Sequence, residues 1–287
     1  NIQVQALLQR LQSSGHQKVV IGISGGLDST HALLVCAKAM DRLGLPRSNI
    51  LAYTMPGFAT SERTLQQARQ LMEVVGCTAH EIDIRPMFED FKRSLAFDFD
   101  GKPEDATEEN IQARVRGTLL MALSNKSGRI VLTTGNKSEM ATGYCTLYGD
   151  MAGGFAVIKD LVKTRVYRLC QWKNAQPTPL ATGGTGAAIP ERIITRPPSA
   201  ELRPDQTDQD SLPEYDVLDA ILERYMEQDQ SIEEIVAAGF PRADVDKVTR
   251  LIKLNEYKRR QAPIGIRITH RAFGRDWRYP ITSRFRA

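Results

Sequence analysis

Short apolar segments alternate with amphipathic segments along the first half of the chain. The apolar segments are rich in β-branched residues, which is typical of buried strands. They cover residues 18–23, 49–56, 78–84 and 129–134. Between them, apolar residues recur at helical spacing, as Leu33, Cys36 and Met40 do. Strands that alternate with helices in this way predict an α/β fold with a doubly wound parallel sheet, covered by helices on both faces.

The second half of the chain shows mainly helical spacing. From residue 176 to 210 the composition shifts to Pro, Gly, Thr and Asp, which predicts a mobile loop over 176–210. Beyond this loop the apolar residues predict a helical C-terminal part, in which Ser231 and Glu234 form a capping box. We predict one domain over residues 1–287 that contains this loop.

Composition narrows the class of protein. The 287 residues are 41% hydrophobic and 25% charged, which is ordinary globular usage and argues against intrinsic disorder. The net charge of +4 is a mild bias that suits an anionic small-molecule ligand. No apolar run reaches the roughly 18 residues that span a bilayer, and the cysteines lack metal-ligand spacing. We therefore expect a soluble, cytoplasmic protein with reduced thiols.

A glycine-rich loop, Ser-Gly-Gly-Leu-Asp-Ser at residues 24–29, follows the first predicted strand. Consecutive glycines let backbone N–H groups approach an anion, and the N-terminus of the next helix adds its positive dipole. The loop lacks the Lys of a Walker A phosphate-binding loop, because Asp28 stands at that position. A carboxylate beside a phosphate favours a cation between the two, so we predict that Asp28 binds Mg²⁺.

The string Ser-Gly-Gly-x-Asp-Ser after an apolar strand resembles the pyrophosphatase loop of the N-type ATP pyrophosphatases. Enzymes of that class bind ATP on such a sheet, transfer AMP to a carbonyl oxygen and release pyrophosphate. Further segments resemble, in the same order, the motifs of the NAD synthetase family within that class. These segments are residues 109–116, 134–139, 148–150, 159–163, 196–202 and 256–260. The resemblance runs from about residue 18 to the C-terminus.

The resemblance implies an enzyme that amidates deamido-NAD to NAD through an adenylated nicotinate and releases AMP and pyrophosphate. It implies ATP as co-substrate and Mg²⁺ as cofactor, with Asp28 and Glu139 as metal ligands and Asp28 and Lys163 as catalytic residues. The implied ATP-binding residues are Gly22, Ile23, Ser24, Gly25, Gly26, Leu27, Asp28, Ser29, Thr134, Lys163 and Ser199. The implied deamido-NAD-binding residues are Asn110, Arg114, Glu139, Tyr144, Cys145, Thr146, Leu147 and Lys258.

The resemblance also bears on the nitrogen donor and the assembly. The ammonia-dependent branch of the family has a Lys where Leu147 stands and an Asp near Gly154, so the chain differs from that branch at both positions. In the glutamine-dependent branch a glutaminase domain precedes the synthetase domain. The chain contains no glutaminase pattern of its own, and we interpret its start at Asn1 as the trace of a missing upstream glutaminase. Alone, it is expected to use free ammonia and to form a homodimer, without a nucleic-acid or membrane partner.

Spacing alone supports other interpretations of single residues. On that evidence Lys159, Lys163 and Glu139 are surface residues, because each lies in a polar or amphipathic segment. Arg114 and Arg116 are off the apolar stripe of their helix, which favours a solvated position for both.

Two other functions are consistent with parts of the sequence. A tRNA-modifying ATP pyrophosphatase is favoured by an arginine-rich tail, which consists of Arg267, Arg271, Arg275, Arg278, Arg284 and Arg286. A non-catalytic nucleotide sensor would share the sheet and the loop. The presence of both Asp28 and Glu139 argues against a sensor, since binding without turnover does not need two metal-binding carboxylates.

Overall fold

A five-stranded parallel sheet forms the centre of the protein in the computed structural model, which describes residues 1–282. The strands are β1 (Val19–Gly22), β2 (Ile50–Thr54), β3 (Thr78–Glu81), β4 (Ile130–Thr133) and β5 (Phe155–Ala156). Their order is β3-β2-β1-β4-β5, and each neighbouring pair is parallel. The predicted doubly wound α/β fold is confirmed. The chain reverses its direction of travel across the sheet between β1 and β4, where folds of this type bind their ligands.

Helices connect these strands and form the rest of the chain. Those of the sheet region are α1 (Ile2–Ser14), α2 (Leu27–Leu43), α3 (Glu62–Val75), α4 (Arg85–Ser94), α5 (Ala96–Phe99), α6 (Ala106–Ser127), α7 (Lys137–Thr142) and α8 (Lys163–Asn174). Those that follow are α9 (Glu191–Thr195), α10 (Tyr215–Leu222), α11 (Ile232–Ala237), α12 (Arg242–Leu254) and α13 (Glu256–Arg259), with a π-helical turn at Glu223–Glu227 after α10. The capping box of Ser231 and Glu234 is confirmed at the start of α11. Within residues 1–282, no helix is both long and apolar enough to cross a bilayer.

Three apolar clusters hold these elements together. Val19 and Ile21 of β1 face a cluster with α1, α2, α3 and α8, and Val20 faces a second cluster with α4 and α6. This alternation follows the two-residue period of a strand and gives the sheet a covered surface on each side. The third cluster belongs to the C-terminal helices and reaches back to Met140 and Ala141 of α7. The helical C-terminal part therefore packs directly on the short helix α7.

Residues 176–210 contain short elements of their own. A two-stranded hairpin pairs β6 (Thr178–Pro179) with β7 (Thr185–Gly186), and α9 follows. Ile189, Ile193 and Ile194 of this segment are part of the core cluster on the α2 side of the sheet. The apolar contacts fix the middle of the segment, whereas the mobility expected for 176–210 stays a prediction.

A buried lysine ties the C-terminal segment to α7. The Lys137 side chain is 1% exposed, and its Nζ donates to Glu227 Oε1 at 2.8 Å, Thr269 Oγ1 at 2.6 Å and the Arg271 carbonyl at 2.8 Å. Its ammonium also pairs with Asp160 Oδ1 at 3.1 Å. Each proton of the buried cation thus has a partner, which is the condition for tolerating a buried charge. Lys137 in this way fixes α7 at its first residue.

The buried imidazole of His31 gives a prediction about acid stability. Its Nε2 lies 3.2 Å from Gln3 Oε1, and burial lowers the pKa of His31 to about 4. An unfolded histidine titrates near pH ~6.5, so the unfolded chain takes up the proton first. The stability due to neutral His31 is therefore present above pH ~6.5 and is lost as the pH falls, by roughly 2 to 3 kcal/mol at pH ~4.5. Urea unfolding at several pH values measures this loss.

The matched comparison is His31→Gln, which keeps a polar side chain but does not titrate. We expect its free energy of unfolding to fall less than that of the unsubstituted chain between pH ~6.5 and ~4.5. Parallel curves for the two proteins would show that His31 does not carry the acid sensitivity.

Candidate active site

A cavity of about 500 Å³ opens at the carboxyl ends of β1, β2 and β4. Its wall includes Gly22 at the end of β1, Thr54 at the end of β2 and Thr133 at the end of β4. The volume lies within the range of ligand pockets, roughly 300–1,000 Å³. The position at the reversal of strand order is the one that the fold predicts for a ligand site.

The glycine loop of residues 24–29 forms the floor of this cavity. Gly25 has φ 77°, and a Cβ there would lie 2.8 Å from the Thr64 carbonyl oxygen, so only glycine fits. Ser29 Oγ donates to the Gly26 carbonyl at 3.1 Å, and Ser24 Oγ accepts from the Gly26 N–H at 3.2 Å. These bonds fix the loop immediately before α2 begins at Leu27, with the positive end of the helix at the cavity. All predicted loop residues, Gly22 to Ser29, line the cavity.

Asp28 and Glu139 are linked by Asn136, a residue that was not predicted to belong to the site. Asn136 caps α7, and its Oδ1 accepts from the Glu139 N–H at 2.9 Å while its Nδ2 donates to Asp28 Oδ1 at 3.1 Å. Glu139 Oε2 in turn accepts from the Asn136 N–H at 3.1 Å. Asn136 is completely buried, so its side-chain amide fixes the carboxylate of Asp28 and its backbone N–H fixes that of Glu139. A cap residue three positions before a Glu is a recognisable capping-box signal, but the contact with Asp28 comes from the fold.

Lys163 is the cation of this group. The side chain is buried, its Nζ is hydrogen-bonded to Asp28 Oδ2, and Glu139 Oε1 lies 3.9 Å away. Burial opposes the charged form of Lys163, but the charges of Asp28 and Glu139 outweigh burial and raise the pKa of its ammonium. Spacing alone predicted surface positions for Lys163 and Lys159, and this prediction is wrong, because the fold buries both side chains between segments distant in sequence. Lys159 Nζ donates to the Pro263 carbonyl at 2.7 Å.

The carboxyl groups around Lys163 fit a further cation. Burial, and next to it the charge of Asp28, raise the pKa of Glu139 well above its ordinary value. Burial also raises the pKa of Asp208, whose Oδ1 has no hydrogen-bond partner. One ammonium thus faces three carboxyl groups. Within residues 1–282 no three His, Cys, Asp or Glu side chains are placed to hold a metal ion together. Mg²⁺ usually binds to one or two carboxylates and to substrate phosphates, and Asp28 and Glu139 place two carboxylates on the cavity wall.

Most of the remaining predicted residues line the same cavity. On its wall are Thr134, Ser199, Asn110, Tyr144, Cys145, Thr146 and Lys258. Lys258 Nζ donates to the carbonyls of Gly143 and Cys145, both at 2.7 Å, so it fixes the loop after α7. Thr146 Oγ1 donates to Asn110 Oδ1 at 2.9 Å and thereby links that loop to α6. All the predicted ATP residues and six of the eight predicted deamido-NAD residues therefore line one cavity.

Arg114 and Leu147 are the predicted residues that the cavity wall does not include. Arg114 is exposed, and its Nε donates to the Leu147 carbonyl at 3.2 Å. The solvated position that spacing favoured holds for Arg114. It is wrong for Arg116, which lines the cavity and donates from Nε to the Met55 carbonyl at 2.9 Å. Burial lowers the pKa of Arg116 to about 10.

Four more polar residues on the cavity wall lie in the segment predicted as a loop, namely Arg196, Glu201, Gln206 and Asp208. Arg196 pairs with Glu201 at 2.9 Å, and Asp208 Oδ2 accepts from Tyr215 Oη at 2.7 Å. Thr64 Oγ1 donates to Glu201 Oε1 at 2.9 Å and so joins this segment to α3 beside Gly25. A stretch of Pro, Gly, Thr and Asp carries no periodicity that could indicate which of its polar side chains face a cavity.

The arginine-rich tail is partly neutralised within the chain. Arg267 pairs with Asp276 at 3.2 Å, and Arg271 pairs with Asp229. Arg278 Nε donates to the Gly274 carbonyl at 2.6 Å. Arg284 and Arg286 lie outside the described residues. Ion pairs within the chain reduce the charge that this surface could offer to a phosphate backbone.

Comparisons with known proteins agree with one another. Residues 1–262 match the family described as NAD synthase. The chain is 51% identical over 284 residues to the glutamine-dependent NAD(+) synthetase of Acinetobacter baylyi, covering 99% of this chain and 50% of that protein. It is similar to the solved glutamine-dependent NAD+ synthetase from Acinetobacter baumannii in complex with ADP, at 45% identity and a TM-score of 0.63, covering 97% of this chain and 48% of that one.

A third similarity concerns the fold alone. The NH3-dependent NAD synthetase from Campylobacter jejuni, solved with the nitrate ion, has 23% identity and a TM-score of 0.68, covering 89% of this chain and 92% of that one. The chain spans about half the length of the curated glutamine-dependent relatives that it matches.

Proposed function

The chain belongs to the NAD synthase family of ligases, and from that premise we propose that it amidates deamido-NAD to NAD with ATP and ammonia. The observation that carries the proposal is the single cavity in which the glycine loop, Asp28, Glu139 and Lys163 face the residues implied for the dinucleotide. A cavity that holds both sets allows two bound nucleotides to react directly with each other. Because both nucleotides are held in position, much of the entropy cost of a bimolecular reaction is removed.

The reaction divides into two displacements. A nicotinate carboxylate oxygen attacks the α-phosphorus of ATP, a P–O bond forms, and pyrophosphate leaves with the electrons of the broken P–O bond. Ammonia then attacks the acyl carbon, the C–O bond to AMP breaks, and the nitrogen loses a proton to give the amide. Adenylation is needed because a free carboxylate would have to expel an oxide.

The residues of the chain act on the charge that develops on pyrophosphate. The N–H groups of the glycine loop and the N-terminus of α2 provide dipoles that are fixed before the reaction, and Lys163 provides a full positive charge. To contact the phosphates, the Lys163 ammonium would leave Asp28 Oδ2. Asp28 and Glu139 would hold Mg²⁺, which when bound screens the phosphate charge.

We predict that the chain forms NAD and AMP in equal amounts from ATP, deamido-NAD, Mg²⁺ and an ammonium salt. Chromatography of the nucleotides measures this directly. Glutamine in place of ammonium is expected to give little NAD, since the chain contains no glutaminase pattern. ATP consumption that yields AMP but no NAD, stimulated instead by tRNA, would contradict the proposal and favour a tRNA-modifying enzyme. The homodimer and an upstream glutaminase stay predictions.

A further inference from the structure

Helix α8 begins at Lys163, and its first turn is capped by side chains from two other helices. The residue before it, Val162, has no side chain that can accept a hydrogen bond. Instead, the Lys163 N–H donates to Ser138 Oγ of α7 at 2.9 Å, and the Thr164 N–H donates to Asp219 Oδ2 of α10 at 2.8 Å. Free N–H groups at a buried helix start are costly unless such acceptors are present.

Ser138 and Asp219 are also bonded to each other. Ser138 Oγ donates to Asp219 Oδ1, so the hydroxyl gives one hydrogen bond and receives another, and both carboxylate oxygens are used. Ser138 is completely buried and Asp219 is 5% exposed. The arrangement is closed, since every group in it has its partner inside the protein. A closed buried network fixes geometry more strongly than an exposed cap does.

The same face of α10 contacts the ammonium of Lys163. Tyr215 lies one turn before Asp219, and its ring centroid is 5.5 Å from Lys163 Nζ, within the range of a cation–π contact. Tyr215 Oη donates to Asp208, so the ring is fixed in turn. Helix α10 therefore holds the start of α8 at two points, the Thr164 N–H through Asp219 and the Lys163 ammonium through Tyr215.

We infer that Asp219, together with Ser138, is a positioning residue that aims Lys163 at the reacting phosphates. Ser138 precedes Glu139 on α7, so the same bonds set the distance between the start of α8 and the carboxylate that faces Lys163 Nζ at 3.9 Å. This inference rests on the proposed function for its effect on turnover. Its effect on ATP affinity needs only that Lys163 contacts ATP.

The test is a double-mutant cycle of Asp219→Asn with Lys163→Met. The amide of the Asp219→Asn variant can accept only one of the two bonds that the carboxylate accepts, so we expect kcat to fall roughly tenfold or more while KM for deamido-NAD stays within about threefold. If Asp219 acts through Lys163, the same substitution lowers kcat less than about twofold further in the Lys163→Met background. Titration calorimetry on the four proteins measures ATP affinity. We expect Asp219→Asn to weaken ATP binding in the unsubstituted chain and to have little further effect in the Lys163→Met background.

Asp160→Asn is the matched control. Asp160 is 2% exposed, pairs with Lys137 of α7 at 3.1 Å and accepts from the N–H groups of Ile268 and Thr269 at 2.6 and 2.7 Å, but it bonds no residue of α8. Its effect on kcat is expected to be the same in both Lys163 backgrounds. An Asp219→Asn effect that is equally large in both backgrounds would overturn the inference and show a general structural role.

Two further measurements keep the outcome clear. If the Asp219→Asn variant unfolds below the assay temperature, the cycle is repeated with Ser138→Ala. That substitution removes the acceptor of the Lys163 N–H and leaves the Asp219 carboxylate. If the unsubstituted chain makes no NAD, the proposed function fails, and the calorimetric cycle alone decides whether Asp219 acts through Lys163.

Discussion

We expect Asp28→Asn to lower kcat for NAD formation roughly a hundredfold or more, which corresponds to a loss of at least about 3 kcal/mol of transition-state stabilisation. Asn keeps the size of the side chain and an oxygen for Asn136, but it removes the negative charge at the start of α2 that would bind Mg²⁺. Initial rates over a range of Mg²⁺ concentrations measure the effect. The Mg²⁺ concentration for half-maximal activity is expected to rise together with the loss of kcat.

The control is Asp41→Asn on the same helix. Asp41 pairs with Arg47 at 2.8 Å, with its side chain 35% exposed, and it lies at the other end of α2. An exposed pair contributes little, so both stability and activity should stay close to the unsubstituted values. Activity of Asp28→Asn within a few-fold of the parent, with unchanged Mg²⁺ dependence, would show that Asp28 is not a metal ligand.

Lys163→Met is the substitution with the second large effect. Met fills similar space but removes the charge proposed to stabilise the departing pyrophosphate, so kcat is expected to fall roughly 10²- to 10³-fold. The apo protein should also melt at a lower temperature, because Asp28 and Glu139 lose the ammonium between them. Quenched-flow measurement of pyrophosphate release isolates the first displacement, where the loss is expected.

Lys159→Met separates this effect from the loss of a buried lysine as such. Lys159 is 8% exposed, its Nζ donates to the Pro263 carbonyl at 2.7 Å, and it does not line the main cavity. It should lose stability while pyrophosphate release remains within a few-fold of the parent. Equal losses of that rate in both variants would mean that Lys163 stabilises the fold and not the transition state.

The strands and the glycine loop could be predicted because their signals are local. A buried parallel strand needs consecutive apolar residues, and residues 18–23 and 49–56 have them. The strand β5 was missed, since Phe155–Ala156 is too short to form a pattern.

Local sequence signals predict only part of the candidate site. Asp28 follows from its position in a predicted phosphate-binding loop, and the resemblance supplied Glu139 and Lys163. Asp208 and Asp219 could not be predicted as residues of the site, because the sequence does not distinguish a solvated carboxylate in a polar segment from a buried one. Their roles depend on contacts with residues up to 81 positions away, such as that of Asp219 with Ser138.

The sequence by itself determined the order of the first four strands, the glycine loop and the family, since each depends on neighbours along the chain. The tertiary structure decided which charges are buried together. Lys163 is a surface lysine by its spacing, and it becomes the cation between Asp28 and Glu139 only when α2, α7 and α8 converge at the edge of the sheet. Charge interactions strengthen as water is excluded, and which groups lose water is a property of the packed fold.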